Sequence, residues 1–353
     1  MSRRRFAALC FPVAFAALSG LACAQPAPAP RGELVIREVI LSDGARRYVV
    51  PVKVGAVAID AGLDTGSTGL RVLPGVLSEA DAKDGGHGET YAYGSGAELE
   101  GVVGEGEVAV GGLSGRSTLQ LVRRVGCVIS IPRCPASRVS AAEYGIEGDG
   151  LPGQGFKAIL GINMSSTRIA NPFTAVGARR WIVELPRPGE GAPGRIILNP
   201  TDAEVAGFAL FALNPNLAGL GGGLHDAIPG CLINIASKEK ACGAVTMDSG
   251  APGIDVQNAN LGSRAWPDGT AAILGFYDTA GHPQAAETLT VGLRQQASHL
   301  TFSDNPRRRG TAIFSGLTVY FAYSVLYDAD HQSVGLKARP AAAGGPKAVV
   351  PGG

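Results

Sequence analysis

The chain has 353 residues, 31 Lys and Arg against 30 Asp and Glu, a net charge of +1 and 45% hydrophobic residues. A balance this even, with both signs interspersed, leaves no electrostatic footprint for nucleic acid or an anionic membrane surface. With 51 Gly and 23 Pro, the chain can bury a sizeable core but is interrupted too often for long helices, so a turn-rich, mostly β protein is expected.

Residues 1–24 read as an export signal: Arg3, Arg4 and Arg5, an apolar stretch from Phe6 to Leu21, and Ala22-Cys23-Ala24 as a small-residue cleavage site before Gln25. The stretch is broken by Pro12 and Gly20 and is short for a membrane span. No stable membrane insertion is expected once it is removed, and the mature chain is expected in the periplasm or outside the cell. Ser2-Arg3-Arg4-Arg5-Phe6 also fits a twin-arginine signal, so both export routes stay open. A Pro/Ala-rich spacer occupies residues 25–32.

Apolar runs that end in Gly, Pro, Asn or Asp then mark strands at Leu34 to Leu41, Tyr48 to Val54, Val102 to Val110, Arg195 to Leu198 and Phe208 to Leu213. Short helical turns are expected at Leu77 to Ala82 and Asn171 to Val176. Arg307-Arg308-Arg309 reads as an exposed loop, and residues 339–353 as a disordered Pro, Ala and Gly tail. Four cysteines follow the signal, Cys127, Cys134, Cys231 and Cys242. Of the three pairings open to them, the close spacings favour Cys127 with Cys134 and Cys231 with Cys242, in an oxidising compartment. The five histidines are scattered without ligand spacing, and no metal is expected.

The chemistry-bearing pattern is a repeat. Leu63-Asp64-Thr65-Gly66-Ser67 and Met247-Asp248-Ser249-Gly250-Ala251 each run apolar residue, Asp, hydroxyl residue, Gly and small residue, 184 residues apart. A strand entering Asp-Thr-Gly can turn sharply because Gly tolerates unusual backbone angles, which lets the Asp project while the hydroxyl ties the turn down. Two such Asp residues brought face to face cannot both ionise, so one stays charged and the other neutral. The charged member can take a proton from water while the neutral one protonates a substrate carbonyl. Ser249 as a serine nucleophile lacks the Gly-x-Ser-x-Gly elbow.

Around these triplets the chain resembles the pepsin-like aspartic peptidase family over nearly the whole mature length. The resemblance is carried by Asp64-Thr65-Gly66-Ser67-Thr68-Gly69-Leu70-Arg71-Val72, Tyr93-Gly94-Ser95-Gly96, Ala158-Ile159-Leu160-Gly161, Phe314-Ser315-Gly316 and the run Tyr323 to Leu336. It implies a bilobal acid protease fold with two β-barrel-like lobes, residues 33–185 and 186–338, and an active-site cleft between them. It further implies Asp64 and Asp248 as the catalytic pair, with Thr65, Gly66, Ser67, Ser249 and Gly250 supporting them. Tyr93 and Gly94 become the substrate-binding flap, with Tyr91 the alternative tyrosine. The implied protein is a monomer that takes a peptide or protein substrate without a cofactor. Arg71 stands where the family usually has a Trp supporting the flap. Ala251 lacks the hydroxyl that Ser67 offers its own Asp, which predicts a milder pH optimum than pepsin's. The other reading of the same residues is a non-catalytic envelope protein that binds peptides in the cleft.

Overall fold

Period-two burial builds the strands. Gly32–Ile40 turns Leu34 and Ile36 into the core and Val35 outward, and Ile228–Asn234 alternates in the same way. A computed structural model describes residues 29–213, 226–262, 264–306 and 308–349. The expected export signal, with Cys10 and Cys23, lies outside the described residues, as does Arg307.

The chain is mostly β and forms two large sheets, one of 13 strands and one of 8. Gly32–Ile40 joins the two parts of the larger sheet. Its residues 32–36 pair with Gly194–Leu198 and its residues 37–40 with Arg46–Val54. Beyond Gly194–Leu198 the sheet continues through Arg180–Glu184, Tyr323–Asp328, Ser333–Ala338 and Ala209–Ala212. Strands from both ends of the sequence therefore share one sheet, so the division expected at residues 185 and 186 is not a sheet boundary.

Each sheet holds the same local device. Val57–Asp64 runs parallel to Ala158–Ile162, with Asp64 opposite Gly161, and Thr68–Val72 lies antiparallel on that strand's other edge. Lys240–Thr246 and Ile254–Asn258 flank Ala312–Phe314 in the same senses. Each Asp turn thus leaves one strand, crosses the end of a middle strand and returns on its far side. Gly161 is required there, because a β-carbon at that position would sit 2.7 Å from Ser67 Oγ.

Ala82–Ala92 and Ala97–Val110 form a long hairpin, closed by the Tyr93 N–H donating to the Ala97 carbonyl at 2.9 Å. Disulfides join Cys127 to Cys134 and Cys231 to Cys242, the second pair directly opposed across two antiparallel strands. Trp181 is fully buried, stacked on Tyr327 at 5.9 Å and edge-on to Phe173 at 5.6 Å. No helix among the described residues is long and apolar enough to cross a membrane.

The short turn expected at Leu77 to Ala82 forms: Asp81 N–H and Ala82 N–H both donate to the Ser78 carbonyl, at 3.1 and 3.2 Å, and the Asp81 side chain accepts from Ser78 N–H, Ser78 Oγ and Ala56 N–H before the chain enters a strand at Ala82. Two other expectations are corrected. The tail is ordered through residue 349 instead of disordered. Arg339 donates to the Leu185 and Tyr320 carbonyls, and Lys347–Val349 pairs with the edge of Pro283–Thr290. Arg308 and Arg309 lie in a loop and Arg309 is exposed, as expected, but Arg308 is half-buried over the Phe314 ring. At Asn171 the expected turn forms, a helix Pro172–Ala175 capped by the Asn171 side chain.

Two carboxyls are buried inside this fold away from the Asp turns. Asp226 accepts from Met164 N–H and Glu287 lies within Pro283–Thr290, and burial pushes each of them up to about 8. The unfolded chain ionises these groups near pH 4, so the folded state binds more protons between about pH 4 and 8 and stability must fall as pH rises through that window. The melting temperature is expected to be higher at pH 5 than at pH 8.5. Glu287→Gln should flatten the decline, since each group contributes up to roughly 5 kcal/mol of pH dependence. An unchanged pH slope in that variant would place the effect elsewhere.

Candidate active site

The structure brings the two Asp turns together, although their residues are 184 positions apart. Thr65 N–H donates to Ser249 Oγ at 3.0 Å and Ser249 N–H donates to Thr65 Oγ1 at 2.8 Å. Each hydroxyl then donates across to the residue before the other Asp, Thr65 to the Met247 carbonyl at 2.9 Å and Ser249 to the Leu63 carbonyl at 2.7 Å. All four bonds are buried, so breaking one strands a polar group without water. Tyr320 Oη adds a further donor to Thr65 Oγ1 at 2.8 Å and bonds to Tyr327 Oη behind it.

The two carboxylates are not equivalent. Asp64 is buried and accepts from Gly66 N–H at 2.8 Å, Ser67 N–H at 3.2 Å and Ser67 Oγ. Asp248 accepts from Gly250 N–H at 2.9 Å and from the Ala251 backbone, with no hydroxyl to match Ser67. Burial and the facing Asp64 charge push Asp248 up to about 7. Gly66 is forced by closeness: a β-carbon on it would lie 2.5 Å from Asp248 Cγ.

The pair stands in a cleft of about 1630 Å³, larger than the several hundred Å³ typical of a small-molecule pocket and suited to an extended ligand. The hairpin turn carrying Tyr93 and Gly94 lines one wall, and Ile254, Thr301 and Arg308 line another. Tyr93 is edge-on to Tyr91 at 4.9 Å, and its hydroxyl is buried without a partner. The tyrosine next to the Asp pair is Tyr91. Its ring lies under the Arg71 guanidinium at 3.6 Å and its hydroxyl interacts with Ser67. Arg71 is fully buried and donates to the Gly69 carbonyl at 3.3 Å.

Glu147 and Arg47 also line this cleft, and the sequence reading did not single them out. A third acid beside the pair has no motif to announce it. The only local signal is the glycine-rich run Gly145-Ile146-Glu147-Gly148-Asp149-Gly150. Among the described residues, no group of three or more His, Cys, Asp or Glu is arranged to hold a metal ion.

No protein-family model matches this chain, and no curated protein matches it either.

Thr65→Val would leave the Ser249 N–H and the Met247 carbonyl without their partners. The expected cost in denaturant unfolding is on the order of 3 kcal/mol, at about 1–3 kcal/mol per stranded buried group. Because Ser249→Ala loosens the same contact between turns, the double variant is expected to lose less than the sum of the singles. Strict additivity would mean that the two hydroxyls act independently.

Proposed function

We propose that the chain is an exported, pepsin-like aspartic endopeptidase with a bilobal fold, and that Asp64 and Asp248 activate a water molecule between them. The observation that carries this reading is the reciprocal Thr65 and Ser249 clasp, which sets two carboxylates side by side in the floor of a large cleft under a hairpin. Three donors converge on Asp64, so the negative charge of the pair rests there, while Asp248 keeps the proton up to about pH 7. In catalysis Asp64 takes a proton from water, the resulting nucleophile attacks the scissile carbonyl, and Asp248 protonates the carbonyl oxygen. Collapse of the tetrahedral intermediate then returns a proton to the leaving amine. An extended peptide would lie along the cleft with its main chain against the hairpin. Two disulfides fit an oxidising compartment, in keeping with export.

Cleavage of a randomised peptide library between pH 3 and 8 tests the reading. Asp64→Asn and Asp248→Asn are each expected to lower kcat/KM by roughly 10²–10⁴-fold or more. Folded wild-type protein that binds peptides without cutting them would favour the binding-module reading instead.

The pH limits of the reaction follow from the same pair. Cleavage should persist at pH 5–6 and fall as Asp248 loses its proton near pH 7. Ala251→Ser supplies the missing hydroxyl and stabilises the charged form of Asp248, so its alkaline limb is expected to move down by about one pH unit. Activity confined to strongly acidic buffer in the wild type would contradict this account.

A further inference from the structure

Of the cleft-lining acids that the proposed chemistry leaves unused, Glu147 stands out by its burial. Its side chain is 6% exposed, it lines the cleft, and both carboxyl oxygens are buried without a hydrogen-bond partner. It points at the Asp pair. The position that a β-carbon would take on Gly250 lies 2.9 Å from Glu147 Oε1, 3.0 Å from Asp64 Oδ1 and 3.2 Å from Asp248 Oδ1. Three carboxyl oxygens from three separate segments therefore converge on one point.

The backbone at Glu147 is held in place against its own preference. Its φ is +61°, a left-handed conformation that costs a residue with a side chain about 1 kcal/mol or more. Ile146 on one side pairs with Phe156 through two backbone bonds of 2.8 and 2.9 Å, and the Glu147 carbonyl accepts from Arg47 Nε at 3.2 Å. These contacts fix the turn that aims the carboxyl inward.

Charged and titratable groups face Glu147 from every side. Asp64 ends one strand, Asp248 lies in the opposite turn, Tyr93 sits at the hairpin tip, and Tyr144 belongs to its own loop. Among the described residues the cation paired with it is Arg47, with Nε 3.8 Å from Oε2, beyond hydrogen-bond reach. A buried carboxylate with no donor, beside two further carboxylates, is a costly arrangement, whereas a carboxylic acid there carries no charge and has a hydroxyl to direct toward the pair. Burial and the two Asp residues both push Glu147 well above the ordinary carboxyl range, and Arg47 opposes them only in part.

We propose that Glu147 is a positioning residue of the Asp64–Asp248 site, a neutral carboxylic acid that donates its hydroxyl to the pair, so that three carboxyls share two protons and one negative charge. The catalytic consequence rests on the peptidase reading above, while the protonation state of Glu147 does not. As pH rises the cluster loses two protons instead of one, and the second negative charge removes the donor that holds the pair in its working geometry.

The first test needs no substrate. Infrared difference spectra of the folded protein between pH 6 and 10 record carboxylic acid groups as they ionise. Glu147→Gln is expected to lose one group fewer than the wild type over that range, a difference that Asp226 and Glu287 cannot produce because both proteins contain them. An identical loss in the two proteins, together with equal carboxylic acid bands at pH 6, would mean that Glu147 is already ionised at pH 6 beside Arg47, and would overturn the proposal. In Arg47→Gln, which keeps Glu147, its ionisation should move to higher pH, so a failure of the first variant to fold leaves the proposal testable.

The second test reads kcat/KM against pH. The wild type should show two ionisations on the alkaline limb and Glu147→Gln one, and the Gln variant, which retains an N–H donor, should exceed Glu147→Leu about tenfold at the optimum. Equal activities and equal limbs in both variants would overturn the positioning role. Asp64→Asn separates the two ideas: loss of cleavage in that variant supports the peptidase reading whatever Glu147 does. A folded wild type that cuts nothing sinks the peptidase reading and leaves the infrared result to decide on Glu147.

Discussion

The clasp between Thr65 and Ser249 is the constraint on which the rest of the site depends. Each turn on its own would present an Asp to solvent and bring nothing to face it. The two hydroxyls satisfy the opposing N–H groups and carbonyls in a place that water does not reach, so the turns have no other partners of equal quality. Everything that sets the pair's electrostatics follows from this closeness: Asp64 raises Asp248 because it is held beside it, and Gly66 must be Gly because Asp248 fills the space of a β-carbon. Behind the clasp, the Tyr320 and Tyr327 hydroxyls extend the same bonding toward the strand Tyr323–Asp328. That strand belongs to the sheet which carries strands from both ends of the sequence, so the site is braced from the shared part of the fold.

The two halves repeat one backbone device but dress it differently, and the difference gives the pair its polarity. Ser67 contributes both its N–H and its hydroxyl to Asp64, and Ala251 contributes backbone alone to Asp248. A hydroxyl directed at a carboxylate favours the charged form, so a symmetric pair would leave the proton undecided whereas this one settles it on Asp248. Glu147 extends the same logic, since a third acid brought to one point adds a proton to the cluster more readily than it adds a charge.

What was legible in the sequence is what leaves a local trace. The repeated triplets, the strand runs and the two close cysteine spacings each lie within a dozen residues, and the corresponding turns, strands and disulfides all form. The sheet that joins Tyr323–Asp328 to Arg180–Glu184 was not legible, because pairing between strands so far apart follows from three-dimensional closure and not from any period in the chain. Lys347–Val349 was missed because an edge strand of three residues carries no alternating pattern. Glu147 was missed for a sharper reason. Its placement depends on a left-handed backbone at a residue that does not favour one, enforced by the Ile146 and Phe156 pairing, and sequence preference points away from that conformation.

Arg71 takes part in holding the hairpin over the pair. A buried guanidinium stacked on Tyr91 is attracted by the ring face and remains a cation that has given up most of its water. Its Nε has no hydrogen-bond partner, and among the described residues it forms no ion pair with a carboxylate. Lifting the hairpin would return that cation to solvent, a gain that works against closure, whereas an apolar aromatic in the same place would favour it. The base of the hairpin turn is tied down elsewhere: Val128 N–H donates to the Gly96 carbonyl at 2.9 Å, and a β-carbon on Gly96 would lie 2.6 Å from Ile131, in the loop closed by the Cys127–Cys134 disulfide. Closure therefore rests on two opposed contributions, a disulfide-held loop that grips the turn and a buried cation that gains from opening.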